Sequence, residues 1–353
     1  INIGMIPYIL MLLFIIFCIY REDKLNSKKK IRQNFIGALV PVLVLIAFKS
    51  PEIGSDTSGY LLSYEILGQY GTFESIEDRG YGHIELGYKY FIYFLSRMCT
   101  ISQTLLFAVG LIVCYALYKF IWNNAQNKCL LLFLFITMGF FQFAMSGIRQ
   151  TIAISITLLS YRYIKDRKFY WFISFMILAW LFHKSALVFS PVYFIANQEI
   201  TSKKVVVMFG AMFVLFFSAD KLLLFAADTM NYKYGIEETD NGYMFFFIVL
   251  LITILVTRSC SQLIIANTYN KMVININFIS LALWTLRLIS RTAERVSLYF
   301  MPYTYLSLEE YIMTRTICRR RQYVFFIIIL ASALFLKRLG EQKELCNFKF
   351  FFQ

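Results

Sequence analysis

Residues 3–34, "IGMIPYILMLLFIIFCIYREDKLNSKKKIRQN", join an uncharged apolar block (3–20) to a basic loop (21–34). A helix rises about 1.5 Å per residue, so a block of this length is long enough to cross the hydrocarbon core of a bilayer. The loop carries six Lys and Arg residues, and loops of that kind stay on the cytoplasmic side of a membrane. The stretch therefore predicts a membrane-spanning helix and its orientation.

The same composition continues along the whole chain. Of its 353 residues 59% are hydrophobic, and the mean hydropathy is +0.62, whereas a soluble domain is about 45–50% apolar. Apolar blocks recur about twelve times, and the alternating segments of a membrane β-barrel are absent. We predict an all-α polytopic membrane protein, a single integral membrane domain over 1–353, with about 12 transmembrane or half-membrane helices.

Alternation of spans from the basic loop predicts which connections face outward. A large outer loop (49–101) follows the second span and includes a semi-apolar stretch (88–98) expected to lie along the membrane surface as an interfacial helix; 220–242 forms a second outer loop and 337–353 a tail. The cytoplasmic loops then carry a net charge of +14 and the outer segments −2. This asymmetry explains the basic composition as a topology signal, so no nucleic-acid partner is predicted. The seven cysteines form no metal-ligand or redox pattern, and we predict neither metal nor cofactor.

Ionisable residues at membrane depth are costly, so each is a functional hypothesis. In "QFAMSGIRQTIAI" (142–154), Gln142, Ser146 and Arg149 would share one face of a continuous helix; the alternative is an arginine that reaches outer-leaflet headgroups. In "FHKSA" (182–186), His183 is a candidate catalytic base and Lys184 a candidate substrate ligand. The alternative for His183 is a hydrogen-bonded structural residue at a helix break.

A third stretch, "TLRLISRTAERVSLYF" (285–300), concentrates arginines near an outward end of a span. On a continuous helix Arg287, Arg291 and Arg295 would lie within about 100° of one face together with Glu294. Three guanidinium groups on one face suit a doubly charged phosphate group, because each binds its oxygens as a fork. Glu294 is either a catalytic base or the counter-ion of Arg291. The alternative for the arginines is binding of outer-leaflet lipid.

The first outer loop contains "GSDTSGY" (54–60) and "HIELGY" (83–88). Asp56 and Glu85 are candidate hydrogen-bonding partners for sugar hydroxyls, and Tyr60 is a candidate platform for a sugar ring. An interfacial belt of tyrosines is the alternative explanation for the aromatic residues.

These motifs occur in a particular order: DTxxY at 56–60, ExGY at 85–88, IRQ at 148–150, FHKSA at 182–186 and the arginine-rich stretch after 285. In this order the chain resembles the EpsG family, which comprises Wzy-like polysaccharide polymerases of bacterial capsule, exopolysaccharide and O-antigen gene clusters. The resemblance runs from about residue 56 to residue 300.

The resemblance implies a reaction and a location. A glycan chain on undecaprenyl diphosphate is transferred to the next lipid-linked repeat unit at the outer face of the bacterial cytoplasmic membrane. The sugar–diphosphate bond supplies the energy, so no cofactor is implied. The implied partners are the undecaprenyl-diphosphate-linked oligosaccharide, membrane lipid, and a chain-length regulator and a flippase of the same pathway.

Three other functions compete with polymerisation as explanations of the same sequence features. A lipid-linked oligosaccharide flippase would show two related halves and charges midway along its spans, but the polar groups here gather at predicted outer ends. A membrane O-acyltransferase would require an acyl-CoA route from the cytoplasmic side. A glycan ligase or another membrane transferase stays open.

Overall fold

The computed structural model describes residues 3–77, 84–212, 214, 242–290 and 292–352. These residues are helical apart from connections and one isolated antiparallel bridge, which joins Lys49 to Phe350. The all-α prediction is confirmed. The chain forms two compact units: unit 1 comprises Ile1–Leu187 with Arg321–Gln353, and unit 2 comprises Val188–Arg320.

Unit 1 contains most of the helices. Apart from short 3-10 turns at Ile3–Met5 and Lys184–Phe189, its helices are α1 (Ile6–Glu22), α2 (Lys28–Ala47), α3 (Thr57–Tyr70), α4 (Glu74–Ile76), α5 (Leu86–Met98), α6 (Gln103–Asn124), α7 (Lys128–Thr137), α8 (Phe140–Ala144), α9 (Ile148–Lys165) and α10 (Phe169–Phe182). Its core includes the packed pairs α9–α10, α2–α6 and α6–α9.

Unit 2 has a smaller core in which α13, α15 and α17 pack against one another. Its described helices are α11 (Val192–Ile195), α12 (202–212), α13 (Tyr243–Arg258), α14 (Cys260–Ala266), α15 (Asn270–Arg287), α16 (Thr292–Ser297) and α17 (Met301–Met313). The chain then returns to unit 1 with α18 (Ile317–Glu341) and α19 (Lys343–Cys346).

Within the described residues, four helices are long and apolar enough to cross a membrane: Ile3–Glu22, Lys28–Ala47, Gln103–Asn124 and Ile317–Glu341. A fifth span is reached if α13 and α14, bent by 70° at their junction, count as one. The predicted count of about twelve is not confirmed. The physical reason is that several apolar blocks fold as short or broken helices, such as the 10-residue α7 and the 14-residue α10.

Two of the stretches that carry candidate residues are not continuous helices. The 142–154 segment passes from α8 to α9 through a break at 145–147, and the 285–300 segment passes from α15 to α16 after Arg287. The common faces depended on continuous helices, so these residues do not share a face of one helix. Gly147 supports the first break, because an added Cβ there would lie 2.8 Å from Cε1 of Phe143.

The first outer loop of the sequence prediction contains α3 and α5. The buried face of α5 carries Tyr88, Lys89, Ile92 and Ser96, while Leu86, Tyr90, Phe94 and Met98 are exposed. This division fits the expected interfacial helix, although its position relative to a membrane stays a prediction. Residues 220–241 of the predicted second outer loop lie outside the described residues.

A buried carboxylate fixes the start of α7. Both oxygens of Glu22, the last residue of α1, accept backbone N–H groups, from Lys128 at 2.8 Å and from Cys129 at 2.9 Å. Asn127 adds its own side-chain oxygen to the N–H of Leu130 at 2.9 Å. Because the first N–H groups of a helix have no partner within it, these contacts satisfy donors that would otherwise be buried and unpaired.

Candidate functional site

Arg149 is the centre of the candidate site in unit 1. It lies in the first turn of α9, directly after the break at 145–147. Its Nη1 forms an ion pair with Oε2 of Glu85, and its Nε donates a hydrogen bond to the hydroxyl of Tyr60 at 3.3 Å. The guanidinium carbon also lies 5.7 Å from the centre of the Tyr60 ring, within the range of a cation–π interaction. Three residues predicted separately from the sequence are thus in contact.

Glu85 connects this arginine to the FHKSA segment. It is the N-cap residue of α5, and its second oxygen, Oε1, lies 3.4 Å from the backbone nitrogen of Lys184. The start of α5 approaches the end of α10 closely, because an added Cβ on Gly87 would lie 2.7 Å from both Cβ and O of Leu181. Gly87, the glycine of the ExGY motif, therefore allows Glu85 to reach the segment that carries His183.

His183 ends α10 in an extended conformation, and its side chain is half-buried. Its Nδ1 lies 2.6 Å from Oγ of Ser185 and 3.4 Å from the backbone nitrogen of Ser185. A backbone N–H only donates, so Nδ1 acts as the acceptor, and the neutral ring carries its proton on Nε2. The basic nitrogen of the imidazole thus holds two contacts with Ser185, and the ring N–H lies on the other nitrogen.

Tyr60 is buried against Tyr88, with ring centres 5.6 Å apart and an edge-to-face angle of 63°. Burial raises the pKa of the Tyr60 phenol above its ordinary value, against the opposing effect of the Arg149 charge. The hydroxyl therefore stays protonated near neutral pH. It accepts the hydrogen bond from Arg149 and keeps its own O–H for another oxygen.

Lys49 lies in the loop before α3, the helix that carries Tyr60, and it anchors this loop to the break before Arg149. Its side chain is fully buried, and its ammonium donates to Oγ1 of Thr57 at 2.7 Å, to the carbonyl of Ile53 at 3.1 Å and to the carbonyl of Met145. Burial lowers the pKa of Lys49 to about 7, and the charge of Asp56 acts in the opposite direction.

Two further contacts join the same loop to the same break. Ser55 and Ser146 share a hydrogen bond of 2.7 Å between their hydroxyl oxygens. Gly54 adopts φ +91° against the carbonyl of Met145, a conformation that glycine tolerates far better than other residues. The loop is therefore held at three points beside Arg149.

Lys49 and the contact of Ser185 with His183 were not predicted from the sequence. A lysine at the end of an apolar block gives the same signal as an ordinary membrane-interface lysine, so only its burial distinguishes it. Asp56, by contrast, is exposed and precedes α3 without capping it through its side chain. It acts on Tyr60 and Lys49 through its charge.

Unit 2 contains the second candidate cluster. Nε of Arg287, at the end of α15, lies 2.7 Å from Oε2 of Glu294 in α16. Gly242, with φ +62°, packs its backbone on the same side chain, because an added Cβ would lie 3.2 Å from Cγ of Arg287. Glu294 thus serves Arg287 as a counter-ion, and its predicted pairing with Arg291 stays a prediction. Arg291 lies outside the described residues, and Arg295 falls in the last turn of α16.

Among the residues that the structure describes, no group of three or more His, Cys, Asp or Glu side chains is arranged to hold a metal ion. The cluster around Arg149 joins an arginine, a carboxylate and a phenol, and it lies next to the segment that carries the His183 imidazole. This combination can bind a phosphate-bearing group through the arginine, and the Tyr60 hydroxyl can donate a hydrogen bond to a further oxygen.

The described helices and their composition define a multi-pass membrane protein. The model of the EpsG family matches residues 34–350, nearly the whole chain. The chain belongs to the EpsG family, which includes Wzy-like polysaccharide polymerases, and is thereby a membrane protein of polysaccharide biosynthesis. No curated protein and no solved structure matches it.

Proposed function

We propose that the protein is a polysaccharide polymerase. It transfers a glycan chain from undecaprenyl diphosphate onto a lipid-linked repeat unit, at the outer face of the bacterial cytoplasmic membrane. The observation that carries the proposal is the cluster of Arg149, Glu85, Tyr60 and the His183 segment, because it joins a cation for a diphosphate to groups that bind sugar hydroxyls. The family supports the same class of reaction.

The reaction exchanges one bond for another. The acceptor hydroxyl oxygen bonds to the anomeric carbon of the donor sugar, and the bond from that carbon to the diphosphate oxygen breaks. The undecaprenyl diphosphate leaves with the electron pair, and the hydroxyl proton passes to a basic group. Negative charge develops on the leaving diphosphate, so a fixed guanidinium stabilises the transition state more than the ground state.

The candidate residues divide into two roles. The proposed catalytic residues are His183 and Glu294. The proposed substrate-binding residues are Arg149, Arg287, Arg291 and Arg295 for the diphosphates, and Lys184, Asp56, Tyr60 and Glu85 for the sugars and the charged linkage. Glu294 already neutralises Arg287, which supports an orienting role for it over that of a base.

His183 acts in this scheme either as the base for the acceptor hydroxyl or as a donor to the diphosphate. The contact between the backbone N–H of Ser185 and Nδ1 supports the donor role, because it leaves the ring proton on Nε2. A base at this position would have to exchange its contacts with Ser185 before it could accept a proton.

The first experiment is the glycan ladder of a strain that lacks the gene. A polymerase deletion leaves single repeats attached to the lipid anchor or to the surface acceptor, and the ladder returns when the gene is supplied. Complete loss of surface glycan would contradict polymerisation and indicate a flippase. Full-length polymer that stays on its lipid anchor would indicate a ligase.

The proposed orientation has its own test. Single cysteines replace Ser27, predicted to be cytoplasmic, and Ser75, predicted to be outside, in a variant without native cysteines. A membrane-impermeant thiol reagent added to intact cells should label only the cysteine at position 75. Labelling at position 27 would overturn the orientation, and with it the outward position of Arg149.

A further inference from the structure

Arg149, the arginine proposed to bind the diphosphate, is already paired with a carboxylate. Glu85 forms an ion pair with Arg149, and the two side chains are only 10% and 16% exposed. Nη1 has a second N–H group, but a donor diphosphate bound there would lie directly beside the carboxylate of Glu85, and the two anions would repel each other. The ion pair is therefore expected to open when the diphosphate binds, if Arg149 has its proposed role.

We propose that Glu85 is a specificity-determining residue. It occupies the guanidinium of Arg149 until the substrate diphosphate binds there, and it excludes lipids of lower charge from the same group. The inference rests on the proposed function, and it assigns Glu85 a role in choosing the substrate. The competing ligands are the headgroups of anionic membrane phospholipids such as phosphatidylglycerol, whose single negative charge is not neutralised within the headgroup and which vastly outnumber the lipid-linked donor.

The physical basis is competition between a tethered anion and free ones. A group held within the same molecule acts at an effective concentration on the order of millimolar or more. A phosphodiester headgroup brings one negative charge, the same as the carboxylate, so it gains little by replacing Glu85. A diphosphate brings more charge and more oxygens, and Arg binds such oxygens in a fork.

The guanidinium retains donors for this larger group. Among the described residues, Nε of Arg149 donates to Tyr60 and Nη1 donates to Glu85. Nη2 donates to none of these residues. A diphosphate is thus able to use Nη2 first and then replace Glu85 on Nη1, while Tyr60 keeps the guanidinium in position.

Glu85 is built to be displaced without unfolding the site. Its backbone is fixed as the N-cap of α5, and Gly87 packs α5 closely against Leu181. The backbone N–H of Lys184, 3.4 Å from Oε1, gives the released carboxylate a second donor at the same place. The exchange therefore requires side-chain rotation only.

The test is Glu85→Gln in purified full-length protein, reconstituted in nanodiscs of phosphatidylcholine with or without phosphatidylglycerol. The probe is undecaprenyl diphosphate, and its affinity is measured in both lipid compositions. In pure phosphatidylcholine the variant should bind the probe roughly tenfold more tightly, because the tethered competitor is gone. With phosphatidylglycerol present, that gain should disappear for the variant, while the wild-type affinity should change less than about threefold.

Two variants separate this role from general effects. Glu52→Gln removes a carboxylate from an exposed ion pair, in which the Glu52 Oε2 and Lys349 Nζ atoms lie 3.2 Å apart. It matches the charge change of Glu85→Gln and should bind as the wild type does. Glu85→Asp keeps the charge on a shorter side chain and should give intermediate selectivity. Thermal melting of each variant checks that it is folded.

Two results would overturn the inference, and they are distinguishable. If Glu85→Gln, or Glu85→Asp where Gln does not fold, shows wild-type affinity and wild-type indifference to phosphatidylglycerol, Glu85 only supports the structure and the proposed function stands. If the wild type itself binds no undecaprenyl diphosphate and restores no glycan ladder, the proposed function is wrong, and the inference that depends on it is wrong as well.

Discussion

Replacement of Arg149 by lysine tests the centre of the candidate site. Lysine keeps the positive charge but loses the planar fork of donors. In the wild type, that fork lets Nε bond to the Tyr60 hydroxyl at 3.3 Å while Nη1 holds Glu85. A single ammonium on a flexible stem does not maintain both contacts and also bind two phosphate oxygens.

The magnitude follows from the contacts that are lost. One hydrogen bond involving a charged group contributes about 1.5–3 kcal/mol, and the cation–π contact with Tyr60 adds roughly 0.5–1 kcal/mol. A loss of about 2–4 kcal/mol in the transition state lowers the rate roughly 30- to 1000-fold, at about 1.36 kcal/mol per factor of ten. Arg149→Lys should therefore shorten the glycan ladder to single repeats at normal protein level.

The chain offers a matched control at the other end of α9. Arg162 also donates to a tyrosine hydroxyl, that of Tyr163 at 2.8 Å, and its guanidinium carbon lies 4.5 Å from that ring. Arg162→Lys should leave the ladder unchanged, although it loses the same kinds of contact. A normal ladder for Arg149→Lys, or equal loss in both variants, would refute a diphosphate role for Arg149.

The other predictions concern one catalytic candidate and two buried charges. His183→Ala should lower polymerisation by about 10²-fold, whereas His183→Gln, which keeps a donor, should stay within about tenfold of the wild type; equal failure of both in a ladder assay would favour the base role. Glu22→Gln should destabilise the detergent-solubilised protein by about 2–3 kcal/mol, because two N–H groups of α7 lose a charged acceptor; an unchanged melting temperature would contradict this. Lys49 has a pKa of about 7 when folded against 10.5 ordinarily, so the unfolded chain binds more protons between those values and stability should rise as the pH increases from 7 towards 10.5. That rise is on the order of 5 kcal/mol at most, since the oxygens around the ammonium offset part of the burial cost, and it should be absent from the melting curves of Lys49→Met.

The sequence alone determined the class of the protein. Lipid offers no hydrogen-bond partner for backbone N–H and C=O groups. Apolar blocks such as 3–20 therefore form helices in a bilayer, because a helix pairs these groups within itself. The order of short motifs was enough to identify the family, which the match over 34–350 confirms. The residue types of the site were also visible, since charged groups such as Arg149 stand out within an apolar chain.

The exact limits of the helices were not predictable in the same way. Gly147 and the arginine-rich segment after Arg287 indicated interruptions, but composition alone did not show where each helix ends. Near Gly147, the tertiary structure ends α8 where Lys49 and Thr57 lie against the carbonyl of Met145. A carbonyl released from its helix needs a buried donor, and that donor comes from nearly 100 residues earlier in the chain.

Pairing between the motifs was likewise a matter of tertiary structure. Sequence order cannot tell which carboxylate neutralises which arginine, because the charges are identical and the partners are far apart. The fold places Glu85 on Arg149, 64 positions away, and Glu294 on Arg287. Close packing of α5 on α10 at Gly87 made the first pairing possible, since only a residue without a side chain fits there. The sequence supplied the charged groups of the site, and the packing of the helices determined their partners.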